Sequence, residues 1–150
     1  MASHGNLRGS VLLAEDEPSI LYTFRTILEE AGFEVESAAT FGAAQKSIRQ
    51  NSYDAVITEF SLDQDGLGLE LAREAKKRDR APAILVYSGD PTTERLRAAL
   101  DLGVDYFAFK PVDLDEIKTA LFRLVARRAA VSSVSPPRLK PAPKPHRPVS

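Results

Sequence analysis

Short uninterrupted apolar runs alternate along the chain with stretches whose apolar residues recur at helical spacing. Val11-Leu12-Leu13-Ala14 carries no polar break, the pattern of a strand buried on both faces. It stops at Glu15-Asp16-Glu17, and Pro18 stands where the first turn of a helix tolerates it. Ile20, Phe24, Ile27, Leu28 and Ala31 then follow at helical spacing, up to Gly32. The same alternation repeats down the chain. Strands are expected at 33–38, 55–58, 83–87 and 106–109. Helices are expected from a Thr40 N-cap through Ala44 and Ile48, over 69–78, over 93–102 before Gly103, and from Leu114 to about Ala130. The stretch 61–68, with Asp63, Asp65, Gly66 and Gly68, reads as a loop.

Five strand–helix repeats imply right-handed crossovers and a parallel sheet covered on both sides, an α/β fold. Ligands of such sheets sit outside the carboxyl ends of the strands. The organisation expected is an N-terminal tail over 1–9, one domain over 10–130 and a tail over 131–150. The stretch 132–150 holds six prolines, four Lys or Arg and no acid, so it is expected to be disordered or extended. Its Pro145-His146-Arg147-Pro148 fits a PxxP pattern, but a plain linker or terminal tail is the simpler reading.

Composition narrows the function classes. With 43% apolar residues the chain buries a real core, and a net charge of −1 gives no general pull toward nucleic acid or anionic membrane. The absence of cysteine excludes disulfides and thiolate chemistry. No apolar run approaches the roughly 18 residues of a membrane span, and the first ten residues lack the build of a signal peptide. A cytoplasmic location is therefore expected.

The ends of the expected strands bring unlike chemistry to one rim. Glu15 and Asp16 follow the first, Glu59 the third, Ser88 the fourth and Lys110 the fifth. Carboxylates gathered there repel one another unless a cation joins them, and Mg²⁺ takes one or two carboxylates with phosphate and water. Lys110 as a point charge and Ser88 as a donor suit phosphoryl oxygens. Neither GxxxxGK[ST] nor GxGxxG is present, so nothing cradles a nucleotide.

With these pieces in this order, the chain resembles a response-regulator receiver domain of two-component signalling from about Ser10 to Ala130. The resemblance rests on Glu15-Asp16-Glu17-Pro18, Glu59, Ser88-Gly89, Gly103 and Lys110-Pro111. It implies a flavodoxin-like (βα)5 three-layer sandwich with strand order 2-1-3-4-5, acting as a signalling module and not as an enzyme. It also implies Mg²⁺ held by Glu15, Asp16, Glu59 and the Ser61 carbonyl. Ser88 and Lys110 would sense the phosphoryl group, and Phe107 would be the switch aromatic. The implied partner is a histidine kinase or effector protein, docked on the face from Thr93 to Arg128. A homodimer would use that same face, with no direct nucleic-acid contact and no membrane.

The sequence departs from the family's pattern at the phosphoacceptor. Glu59 stands where the family carries aspartate, and its extra methylene moves the carboxylate by about 1.5 Å. Misplacement of that order can cost about 10²-fold in rate. Three readings follow. In the first, Glu59 partly mimics the phosphorylated state and phosphorylation is weak or absent. In the second, the domain is a working Mg²⁺-dependent phosphoacceptor. In the third, ranked lowest, it is a flavodoxin-like small-ligand binder. Plainer roles stand beside these: Glu59 as a salt-bridge partner of Lys110, Glu15 and Asp16 as helix N-terminal charges, Ser88 as a turn residue, Asp63 and Asp65 as turn chemistry. Tyr22, Phe24, Phe41 and Tyr53 are expected to be packing residues. The loop after Glu59 has two registers, one on Asp65-Gly66 and one on Gly68-Leu69-Glu70-Leu71.

Overall fold

The computed structural model describes residues 8–90 and 92–133. They alternate as β1 (Gly9–Ala14), α1 (Pro18–Glu30), β2 (Phe33–Ala38), α2 (Phe41–Gln50), β3 (Ala55–Glu59), α3 (Leu67–Lys76), β4 (Ala83–Ser88), α4 (Thr93–Leu102), β5 (Tyr106–Phe109) and α5 (Leu114–Ser133). The strands form one parallel sheet in the order β2-β1-β3-β4-β5, as the resemblance implied.

Alternation along each strand explains why the runs had no polar break. Leu12, Ala14, Val56, Ile84 and Val86 point to one face and pack with Ala44, Ile48, Leu71 and Ala72 of α2 and α3. Val11, Leu13, Ala55, Ile57 and Leu85 point to the other, against Phe24 and Leu28 of α1 and Ile117, Leu121 and Val125 of α5. Both faces are covered, so both sets of positions must be apolar. On α1 the buried stripe is Phe24 and Leu28, whereas Tyr22 is 73% exposed. The expectation that Tyr22 packs is corrected: position 22 lies off the stripe at 100° per residue.

Several boundaries differ from the sequence reading by one to three residues, among them both ends of α3 and the end of α5. α3 begins at Leu67, two residues before the expected start, because Gly66 takes the left-handed conformation (φ 81°) that opens the helix. Gly68 therefore lies in the first helical turn, where its amide donates to the Phe60 carbonyl at 2.9 Å. Gly66 and Gly68 thus do two separate jobs, a left-handed opening and a close approach. α5 runs to Ser133, past Ala130, since Val131-Ser132-Ser133 contains no proline or glycine to end it. The proline-rich stretch expected to be a tail lies beyond the described residues from position 134, as do His4 and His146.

Candidate functional site at the carboxyl ends of the strands

Parallel strands end together, so β1, β3, β4 and β5 deliver Glu15, Glu59, Ser88 and Lys110 to one rim. The central contact is between Lys110 Nζ and Glu59 Oε2, 2.7 Å apart. The Glu59 side chain is 8% exposed and that of Lys110 32% exposed. The distance is that of an ion pair, yet its angle falls outside hydrogen-bond geometry, so Oε2 has no conventional donor among the described residues. Burial alone would lower the Lys110 ammonium. The contact with and charge of Glu59, with Glu15 and Glu17 behind it, outweigh burial and hold it above its ordinary range. Lys110 is placed by its own amide, which donates to the Ser88 carbonyl at 2.9 Å, and the Lys110–Pro111 bond is cis.

Glu15 is fully buried. Its Oε1 accepts from the Tyr87 hydroxyl at 2.8 Å and its Oε2 from the Glu17 amide at 3.1 Å. Burial pushes its carboxyl up, against the pull of those two hydrogen bonds. Burial, and the charge of Glu15, push Tyr87 far up as well. The Tyr87 hydroxyl is thus a fixed donor, and the sequence offered a signal for it. A tyrosine in the otherwise aliphatic run Ile84-Leu85-Val86 must find a polar partner if buried. Tyr87→Phe is expected to lower stability by about 1–3 kcal/mol, because it orphans a buried carboxylate oxygen while the ring contact with Phe24 survives. Urea denaturation measures it.

Asp16 is exposed and accepts from the Asp63 amide at 3.0 Å. Asp63, in the left-handed region at φ 63°, in turn accepts from the Phe41 amide at 2.5 Å, at the start of α2. Asp63 therefore supports a helix start as well as a turn. The Ser61 hydroxyl donates to Asp65 Oδ1 at 3.1 Å. Phe107 is half-buried, in edge contact with Phe60 and Phe109 at centroid distances of 6.5 and 5.2 Å.

Arg95, on the first turn of α4, was not among the residues singled out from the sequence. Its Nη1 lies 3.1 Å from Ser61 Oγ and 3.2 Å from Ser88 Oγ, and its Nη2 lies 2.6 Å from Asp65 Oδ1. The guanidinium sits 4.7 Å from the Phe60 ring centroid. Nothing local in Glu94-Arg95-Leu96 distinguishes it from an ordinary solvated helix position.

The residues named for Mg²⁺ share the rim, but three of their carboxylates do not converge as ligands. Both Glu15 oxygens are bonded to protein donors, Glu59 faces Lys110, and Asp16 holds the Asp63 amide. Among the described residues no three His, Cys, Asp or Glu side chains are grouped to hold a metal ion. In this arrangement the donor set does not fit a divalent ion.

The fold, the strand order and the acid, hydroxyl and amine at the strand ends define a class that comparison with known proteins identifies. The sequence profile of the response regulator receiver domain matches residues 11–122, and the chain belongs to that family. It is 30% identical over 131 residues to the KDP operon transcriptional regulatory protein KdpE of Escherichia coli (strain K12), covering 87% of this chain and 57% of that one. It is 29% identical over 118 residues to the transcriptional regulatory protein BasR of the same organism, covering 78% and 52%. The chain thus spans about half the length of these curated relatives. Among solved structures, a CheY-like receiver domain protein from Methanospirillum hungatei JF-1 superposes with TM-score 0.74 at 25% identity, covering 81% of this chain and 96% of that one. The receiver domain of the Francisella response regulator 1452 gives 0.71 at 26% identity, covering 79% and 98%. Receiver domains are signalling modules, not enzymes in the ordinary sense, and they generally bind Mg²⁺ for phosphorylation. No described helix is long and apolar enough to cross a membrane.

Proposed function

We propose that this receiver domain is a protein-interaction switch in which Glu59 supplies a standing negative charge, so that phosphorylation is weak or absent. The observation that carries this reading is the buried pair of Glu59 and Lys110 at 2.7 Å. The longer arm of glutamate already reaches the ammonium that, by the family resemblance, would meet a phosphoryl oxygen. An acceptor carboxylate held there is poorly placed for in-line attack, and phosphoryl transfer depends on placement above all. Glu15 and Asp16 are bonded to protein donors and Glu59 is paired with Lys110, so the reading needs no resident metal. Lys110 then senses the Glu59 carboxylate itself, with Ser88 beside it at the end of β4, and Phe107 is the aromatic whose packing follows.

The partner surface in this reading runs from Thr93 to Arg128. Leu100 and Phe109 lie on it, 64% and 41% exposed, and supply apolar area for a kinase, an effector or a second copy. Output would follow the population of the competent conformation, not turnover. The relatives named as transcriptional regulatory proteins are about twice as long as the matched stretch, and the role proposed here is that of switching, not of DNA contact.

The test is incubation with acetyl phosphate and Mg²⁺, read by intact mass. The parent is expected to gain no phosphoryl group, and Glu59→Asp to gain one. A phosphoryl adduct on the parent that Glu59→Gln abolishes would establish the working-phosphoacceptor reading instead.

A further inference from the structure

We propose that Arg95 is the positioning residue that ties the first turn of α4 to the rim, so that the interaction face responds to what stands at position 59. The inference rests on the reading of Glu59 above and adds the route by which that residue acts. One side chain, 18% exposed, joins three segments: Ser61 and Asp65 after β3, Ser88 at the end of β4, and its own helix. Its two prongs are used differently, Nη1 on the two hydroxyls and Nη2 on Asp65, with Asp90 Oδ2 at 3.8 Å. A lysine offers no such fork.

Two features make the tether consequential. First, α4 is weakly anchored elsewhere. Its fully buried residue is Ala99, a small one, Ala98 and Leu102 are only partly buried where they pack against the core, and Leu100 faces outward. A helix with so little buried apolar area takes its position from its polar ties. Second, the tie leads straight to the switch. The guanidinium rests on the ring of Phe60, the neighbour of Glu59, and the Phe60 amide donates to the Tyr87 carbonyl at 2.7 Å. Ser88, the other anchor, accepts the Lys110 amide on its carbonyl, and Lys110 holds Glu59. A change in the Glu59 carboxylate therefore reaches Arg95 along both sides.

Amide ¹H–¹⁵N spectra of Glu59→Gln, recorded with Arg95 and with Arg95→Met, test the tether without any phosphate donor. With Arg95 present, Glu59→Gln is expected to displace the amides of residues 93–99. In the Arg95→Met background those displacements should shrink to less than about half, a non-additivity that a purely structural role does not produce. Arg95→Lys keeps the charge without the fork, and provides the same comparison if the methionine variant does not fold. Equal displacements in both backgrounds, or none in α4 with Arg95 present, overturn the proposal. The acetyl phosphate result is separate. An adduct on the parent removes the standing-charge reading, whereas a failed tether leaves that reading intact.

Discussion

Gly68→Ala is expected to lower the unfolding free energy by at least about 4 kcal/mol, or to leave no folded protein at all. A Cβ at position 68 would lie 1.7 Å from the Glu59 carbonyl oxygen and 2.8 Å from both the Glu59 carbonyl carbon and the Phe60 oxygen. All three are backbone atoms at the tip of a buried strand, so no rotamer change relieves the overlap. The Glu59 carbonyl also accepts from the buried Thr58 hydroxyl at 2.9 Å, and moving it breaks that bond. Alanine is the better helix former by about 1 kcal/mol, far too little to offset such a clash. Gly42→Ala is the control. It adds a methyl to another first helical turn with nothing within 4 Å, and should be neutral or stabilising by up to about 1 kcal/mol. Urea denaturation of both variants decides the matter. A Gly68→Ala protein as stable as the parent would mean that α3 does not press on the end of β3.

The reason glycine is needed there was beyond the reach of the sequence. Asp65-Gly66-Leu67-Gly68 announces a turn, but not that one glycine serves a left-handed φ and the other a contact with a strand eight or nine residues back. The larger plan was legible because each strand is buried on both faces and so must be uniformly apolar. Helix ends were legible where a side chain makes the cap. Thr40 accepts from the Ala43 amide at 3.1 Å, as its position before the periodic stretch implied. Tyr22 is not core because its aromatic type says nothing of its angle on the helix, which points it away from the stripe of Phe24 and Leu28.

At the rim, the residue types were legible and their pairings were not. Glu15, Asp16, Glu59, Ser88 and Lys110 could be named because parallel strands end on one side. Which partner each would take depends on side-chain directions set by tertiary packing. Glu15 turns inward to Tyr87, Asp16 outward to the Asp63 amide, and Glu59 across to Lys110. Arg95 was invisible for the same reason. Its partners lie 7 to 34 positions away in sequence, and no local pattern encodes a contact of that kind.

Lys110→Met is expected to cost roughly 2–4 kcal/mol, the second largest effect, seen as a melting temperature lower by about 10 °C. Methionine keeps the length and apolar stem of the side chain, so the loss isolates the charge. What remains is a carboxylate at Glu59 that is 6% exposed and has lost its cation. Removing one member of a buried pair ordinarily costs about 3–5 kcal/mol. The estimate here is reduced because about a third of the lysine side chain is exposed, and water entering on that side partly solvates Glu59. Replacing the pair as a whole is a different matter. Lys110→Met combined with Glu59→Met buries no charge, and should return to within about 1 kcal/mol of the parent. That recovery is the signature of a coupled buried pair. A single Lys110→Met variant that loses less than about 0.5 kcal/mol would instead mark the contact as an ordinary solvated ion pair. The standing charge at Glu59 would then be screened by water rather than held against the lysine, and the switch reading would lose the observation that carries it.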